Sequence, residues 1–154
     1  AYWHAAAPHD VLKSNGLSTM GFALPAAIAS ALVEPGRPVV ALTGDGGLSM
    51  TLAELGTAAR LGVPVKVIVY NDARLSLIDI KQQRRGEPSR GTRYPRADFA
   101  AVAEGLGVKG FRAGPAAAGL EATLAMAAAH PGPALVDVAI DPSGYPAQLE
   151  VLRG

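Results

Sequence analysis

Two short motifs hold the residue types that chemistry needs. The first is Thr43-Gly44-Asp45-Gly46-Gly47, which follows an apolar run and opens a helical stretch at Leu48. Glycines let a backbone approach a ligand closely, and a helix start offers free N–H groups to an anion. A carboxylate in such a turn repels phosphate unless a divalent cation lies between them, so Asp45 suggests a metal bridge. A plain capping role for Asp45 at the helix start stands beside that reading. The second motif is Asn71-Asp72, at the end of the next apolar run. If the two runs are neighbouring strands, about 4.8 Å apart, both carboxylates can reach one cation. Such a pair leaves room for phosphate oxygens and water around an octahedral Mg²⁺. The alternative for Asn71-Asp72 is an ordinary turn.

The elements that must carry these motifs follow from the apolar pattern. Strands are expected at Val11–Ser14, Pro38–Thr43, Pro64–Tyr70, Val108–Arg112 and Ala134–Ile140. Their apolar residues are continuous rather than alternating, which suits a parallel sheet covered on both faces. Helices are expected at Met20–Val33, Leu48–Leu61, Leu75–Gln83, Ala97–Leu106 and Ala116–Ala129, several ended by Gly or Pro signals. Strand and helix in alternation imply right-handed crossovers and an α/β, three-layer doubly wound parallel sheet. Ligands of such sheets bind at the carboxyl ends of the strands, where both motifs fall. The helix over Met20–Val33 has Ser30 as its single polar side chain. It reads either as an Ala-rich surface helix or as one that packs against another chain or domain.

Composition narrows the class. The 154 residues suit a single domain, 1–154, with 49% apolar and 18% charged residues, so the chain is not disordered. Lys and Arg total 14 against 13 Asp and Glu, a balance that speaks against nucleic-acid or anionic-membrane surfaces. The absence of cysteine removes disulfide scaffolds, zinc ribbons and thiol nucleophiles. The apolar run Met20–Val33 is too short to span a bilayer. No charged-then-apolar leader is evident, so a cytoplasmic location is expected. The first residue is Ala1 rather than Met, which suggests a processed, engineered or partial chain. His4, His9 and His130 form no cluster, and no Ser/His/Asp arrangement is evident.

Gly44-Asp45-Gly46, then twenty-four residues, then Asn71-Asp72, resembles the thiamine diphosphate signature. Asn15-Gly-Leu-Ser-Thr-Met-Gly-Phe-Ala-Leu-Pro-Ala-Ala-Ile28 is similar to the segment before that signature in acetolactate synthases and related decarboxylases. The resemblance runs from about Val11 to Asp141 and matches their pyrophosphate-binding domain. It implies thiamine diphosphate and Mg²⁺ as cofactors. Asp45 and Asp72 would hold the metal by side chains, with the backbone carbonyl of Arg74 as a third ligand. Gly44 would belong to the cofactor turn, and Gly46 and Gly47 would face the diphosphate through N–H groups. Ser18 would offer its carbonyl to the pyrimidine amino group, and Met20 would be the apolar wedge under the cofactor. The implied chemistry is an ylid adding to a 2-keto acid and stabilising the carbanion left by CO₂ loss.

Three departures qualify the resemblance. The second Asn of the signature is Asp72, which keeps a metal ligand and adds charge. Lys81 stands where acetolactate synthases carry a Trp, against the amino-acid-biosynthetic enzyme. The activating Glu of the family sits in a separate pyrimidine-binding domain, and Glu34, Glu54, Glu87, Glu104, Glu121 and Glu150 match no such motif. The chain is therefore expected to hold no catalytic residue of its own and half of an active site. It would be completed by a pyrimidine-binding domain or subunit within a homo-oligomer, a dimer or tetramer. The segment Lys81–Arg96, rich in Gly, Pro and basic residues, is expected to be mobile. It would fold over the cofactor, with Lys81 or a nearby Arg meeting an anionic substrate. Two other classes remain open: a non-catalytic regulatory or binding module of the same fold, and a nucleotide-binding Rossmann-like domain. The latter lacks the third Gly of its fingerprint, and Asp72 lies 26 residues beyond Gly46 where about 20 is usual.

Overall fold

The computed structural model describes residues 4–114 and 117–153. Its elements run α1 (Ala23–Val33), β1 (Val40–Gly44), α2 (Asp45–Ser49), α3 (Glu54–Leu61), β2 (Lys66–Asn71), α4 (Ser76–Arg84), α5 (Phe99–Gly105), β3 (Lys109–Ala113), α6 (Ala117–Ala129) and β4 (Ala134–Ala139). A 3₁₀ turn at Pro142–Gly144 then leads into α7 (Tyr145–Arg153). The four strands form one all-parallel sheet in the order β1-β2-β4-β3. The α/β architecture matches the sequence expectation, and its handedness explains the layers. The chain crosses from β1 to β2 and on to β3 in one direction, with α3 and α5 on one face. It then steps back to β4 through α6 on the other face, as right-handed crossovers require.

Register assigns the faces. Ala41, Val67 and Leu135 lie abreast, and with Val69 they meet α1, α3 and α5 in the larger core, where Leu24, Leu55 and Phe99 are buried. Each such side chain contributes roughly 1.5–3 kcal/mol of burial. On the opposite face Val136 and Val138 pack with Ala127, Leu120 and Leu124 of α6. Gly110 of β3 is required by this packing. A Cβ there would lie 2.3 Å from the Ala100 carbonyl oxygen, so no side chain fits between β3 and α5.

Several boundaries differ from the sequence reading. Val11–Ser14 is not a strand but irregular chain along the cleft at the strand ends. Short apolar content alone cannot make a strand without a neighbour to bond. The helix expected over Leu48–Leu61 is two helices. Hydrogen bonds from Thr51 N to Leu48 O and from Glu54 N to Thr51 O tighten the turn between them. Gly62, at φ 64°, ends α3 in the left-handed conformation, and Val63 N closes back on Ala58 O. α1 buries Leu24, Ala27, Ile28 and Ala31 at helical spacing, while Leu32 and Val33 are exposed. Among the described residues, one face of α1 is covered. The elements expected from sequence end at Ile140 and do not include α7. Its signal was Asp141-Pro142-Ser143, where the Asp141 carboxylate accepts from Ser143 N at 3.0 Å.

Candidate functional site

β1 and β2 are parallel neighbours, with Gly44 opposite Tyr70. The two motifs therefore leave the sheet side by side at its carboxyl edge. Gly44 is the N-cap of α2, and Asp45 is its first residue. Asp45 does not serve as the cap. Its carboxylate accepts from Gly46 N at 2.7 Å and, across the gap, from Ala73 N at 2.8 Å. It thus ties the end of β1 to the loop after β2. Ala73 reaches that position at φ 57°, a left-handed conformation that costs a non-glycine residue about 1–2 kcal/mol. Such strain is commonly stored where a loop serves a site.

Asp72 accepts from Arg74 N at 3.1 Å and from the Ser76 hydroxyl. Asp45 and Asp72 are both buried, at 3% and 9% exposure, and among the described residues neither has an ion-pair partner. Burial, with Asp72 nearby, pushes the Asp45 carboxyl above its usual value. Buried carboxylates ordinarily have a cationic partner or coordinate a metal. No third acidic or histidine side chain joins them among the described residues. The donor set of two hard carboxylates suits Mg²⁺. Tyr94 adds an orphan group: its hydroxyl is buried and, among the described residues, has no hydrogen-bond partner. Burial, then Asp45 beside it, pushes that phenol far up, so it stays protonated.

All eight site residues expected from sequence line one cleft of about 690 Å³. Gly44, Asp45, Gly46 and Gly47 form its floor at the start of α2, and Asp72 and Arg74 form one rim. Ser18 and Met20 come from the segment before α1. Ser18 sits at φ 50° and is exposed, while Met20 is 43% exposed with its Cε close above Gly46. Two of the glycines also sit close to other parts of the chain itself. A Cβ on Gly46 would lie 2.4 Å from Leu75 Cδ2, so the close approach is that of the chain's own second loop. A Cβ on Gly47 would lie 3.0 Å from Thr43 Oγ1.

Other expectations shift. Lys81 is exposed and does not line the cleft, whereas Arg74 does. The segment Lys81–Arg96 is held by polar anchors rather than apolar ones. The buried Asp79 accepts from Thr92 Oγ1 at 2.9 Å, Gln83 Nε2 at 3.0 Å and Arg93 Nη2 at 3.2 Å. Leu75 N donates to Thr92 O and Tyr94 N to Ala73 O, stitching this loop to the Asp72 turn. His4 and His9 are exposed, and none of the three histidines lines the cleft.

Residues missed from sequence complete the wall. Ser76 anchors Asp72, and Tyr145, Gln148 and Leu149 of α7 face the same cleft. Behind the site, Asn71 Nδ2 donates to Asp137 Oδ1 and to Ala97 O, both at 2.9 Å. Phe99 N donates to Asp137 Oδ2 at 2.9 Å. This buried network fixes the end of β2 against β4 and α5. No sequence signal pairs Asn71 with a residue 66 positions away.

Comparison with known proteins agrees with this geometry. Residues 1–138 match the family described as thiamine pyrophosphate enzyme, C-terminal TPP binding domain. The chain is 41% identical over 106 residues to the putative thiamine pyrophosphate-containing protein YdaP of Bacillus subtilis, covering 69% of this chain and 18% of that protein. It is 38% identical over 140 residues to the catabolic acetolactate synthase of Raoultella terrigena, covering 91% of this chain and 25% of the relative. It is also 38% identical over 140 residues to the acetolactate synthase isozyme 1 large subunit of Escherichia coli, covering 87% and 24%. The chain thus spans a quarter or less of the length of these relatives. Among the described residues no helix is long and apolar enough to cross a membrane. The fold, the cleft at the strand ends and the match over most of its length place this chain among the thiamine pyrophosphate enzymes, as their C-terminal domain, which binds thiamine diphosphate.

Proposed function

We propose that this chain is the diphosphate-binding part of a 2-keto acid decarboxylase or acetolactate synthase-like carboligase. The observation that carries this reading is the pair of buried, uncompensated carboxylates Asp45 and Asp72 at the mouth of a glycine turn. In this reading they hold Mg²⁺ with the Arg74 backbone carbonyl. Gly44 shapes the turn, and Gly46 and Gly47 direct N–H groups to the diphosphate. The Ser18 carbonyl meets the pyrimidine amino group, and Met20 supports the ring from below. When bound, thiamine diphosphate supplies an electron sink for the bond to the departing carboxylate of a 2-keto acid.

The proton relay that activates the pyrimidine needs a carboxyl group at its far side. No glutamate of the described residues lines the cleft. The activating Glu is therefore assigned to a pyrimidine-binding domain or subunit in a homo-oligomer, and the exposed Leu32 and Val33 of α1 are consistent with such a neighbour. Calorimetry with thiamine diphosphate and Mg²⁺ tests the reading. Asp45→Ala is expected to lower affinity by about a hundredfold or more, since it removes a charge-bearing metal ligand. Assay of 2-keto acids should find turnover only when the pyrimidine-binding domain is present. Equal cofactor binding by parent and Asp45→Ala would refute the assignment. Cofactor binding without turnover in that complete system would favour a regulatory module of the same fold.

A further inference from the structure

We propose that Asp45 and Asp72 bind a divalent cation before any diphosphate arrives, with Ser76 as the residue that keeps Asp72 in its receiving position. The inference rests on the metal assignment above and adds an order of binding and a positioning residue. Its first ground is charge. The two carboxylates are buried, adjacent across the β1–β2 edge, and without an ion pair among the described residues. Three guanidinium groups lie close by in the chain, and each is engaged elsewhere. Arg74 and Arg93 approach Asp79, and Arg96 donates to the Asn71 carbonyl. None of these three therefore competes with a cation for this pair.

The second ground is that the pair is already in place. Each of the four carboxylate oxygens accepts one hydrogen bond, from Gly46 N, Ala73 N, Arg74 N or Ser76 Oγ. Every one of those donors is neutral, and each oxygen keeps a further lone pair. Three of the four donors are backbone groups. The fourth, Ser76, is the first residue of α4, so its hydroxyl is fixed by a helix and reaches back four residues to Asp72. Groups held in position beforehand lose little freedom when they bind, which favours a cation over the empty state. A bound cation then turns a cleft that repels phosphate into one that attracts it, so the diphosphate follows the metal.

The test uses the whole protein with Mn²⁺ as the probe, followed by electron paramagnetic resonance, first without and then with thiamine diphosphate. The parent is expected to bind Mn²⁺ in the absence of thiamine diphosphate. Asp72→Asn, which keeps the shape and removes the charge, should lose about tenfold or more of that cation-only affinity. It should bind cation together with thiamine diphosphate much more nearly as the parent does. Ser76→Ala should lose about threefold to tenfold of cation-only affinity with its thermal unfolding little changed, and Ser76→Thr should restore it. Cation bound only together with thiamine diphosphate would overturn the order while leaving the functional assignment intact. No cation bound in either condition would overturn that assignment as well. Parent-like cation-only affinity in Asp72→Asn or Ser76→Ala would remove the proposed role of the altered residue.

Discussion

Two buried acidic centres, the Asp45–Asp72 pair and Asp79, have opposite surroundings. Asp79 is 1% exposed and surrounded by donors: Thr92, Gln83 and Arg93, with Arg74 Nη1 at 3.5 Å. The nearby Ser89 hydroxyl, with Thr92 and Arg93, holds its carboxyl below the ordinary value. Asp45 is almost as buried, yet among the described residues its hydrogen-bond partners are backbone N–H groups, and its carboxyl is pushed upward by burial and by Asp72. A compensated carboxylate stabilises the fold that surrounds it. An uncompensated one costs stability until a ligand arrives, which is how a binding site commonly differs from a structural ion pair.

The contrast is sharpest in the metal-free protein. Asp79→Ala should destabilise it by about 2–3 kcal/mol, because the buried Thr92 hydroxyl and two guanidinium groups lose their acceptor. Asp45→Asn should leave metal-free stability unchanged or raise it by about 0.5–1 kcal/mol, while removing cofactor binding. Denaturant unfolding without divalent cation measures both. If Asp45→Asn proves as damaging as Asp79→Ala, the two centres are not opposites.

Acid and alkali should separate them next. A folded-state value lowered below 3.8 means that Asp79 contributes stability that is complete above the unfolded value and lost as pH falls through the folded one. A raised value means that Asp45 holds its proton more tightly when folded. Its penalty grows as pH rises from 3.8 through the folded value and is full beyond it. Asp79→Asn should therefore flatten the acid loss of stability, and Asp45→Asn should flatten the decline above pH 3.8. Unfolding midpoints measured from acid to neutral pH without metal would show the difference. Identical profiles for the two variants would break the distinction.

The smallest effect is expected at the hinge between the centres. Ala73→Gly relieves a left-handed residue but frees the unfolded chain, so stability should change by no more than about 0.5 kcal/mol. The same change at Ala100, buried inside α5, should cost about 1 kcal/mol. Thermal unfolding of the two variants side by side checks this. A loss at Ala73 as large as that at Ala100 would show that φ 57° stores no strain there.

Much of this was legible beforehand because it is local. Short apolar runs marked the four strands, and glycine and proline marked several helix ends. The Gly-Asp-Gly and Asn-Asp motifs named, by residue type alone, two carboxylates that line one cleft. The failures were also physical. Val11–Ser14 has the composition of a strand but no partner strand. Leu48–Leu61 has neither Gly nor Pro between Met50 and Ala53, yet it splits there. The polar anchoring of the basic segment on Asp79 was not foreseen, because Asp79 lies outside the run of basic residues.

The amino-acid sequence alone determined which groups could meet a metal and a diphosphate, since side-chain chemistry and chain order do not depend on packing. It also determined that these groups fall at strand ends, since the apolar period sets the elements. Only the tertiary structure decided that β1 and β2 are neighbours, so that Asp45 and Asp72 share one edge. It alone decided that Arg74 leans toward Asp79, that Ser76 holds Asp72, and that α7 walls the cleft. Burial and charge compensation depend on which distant segments the fold brings into contact, and that information is not carried by any one stretch of residues.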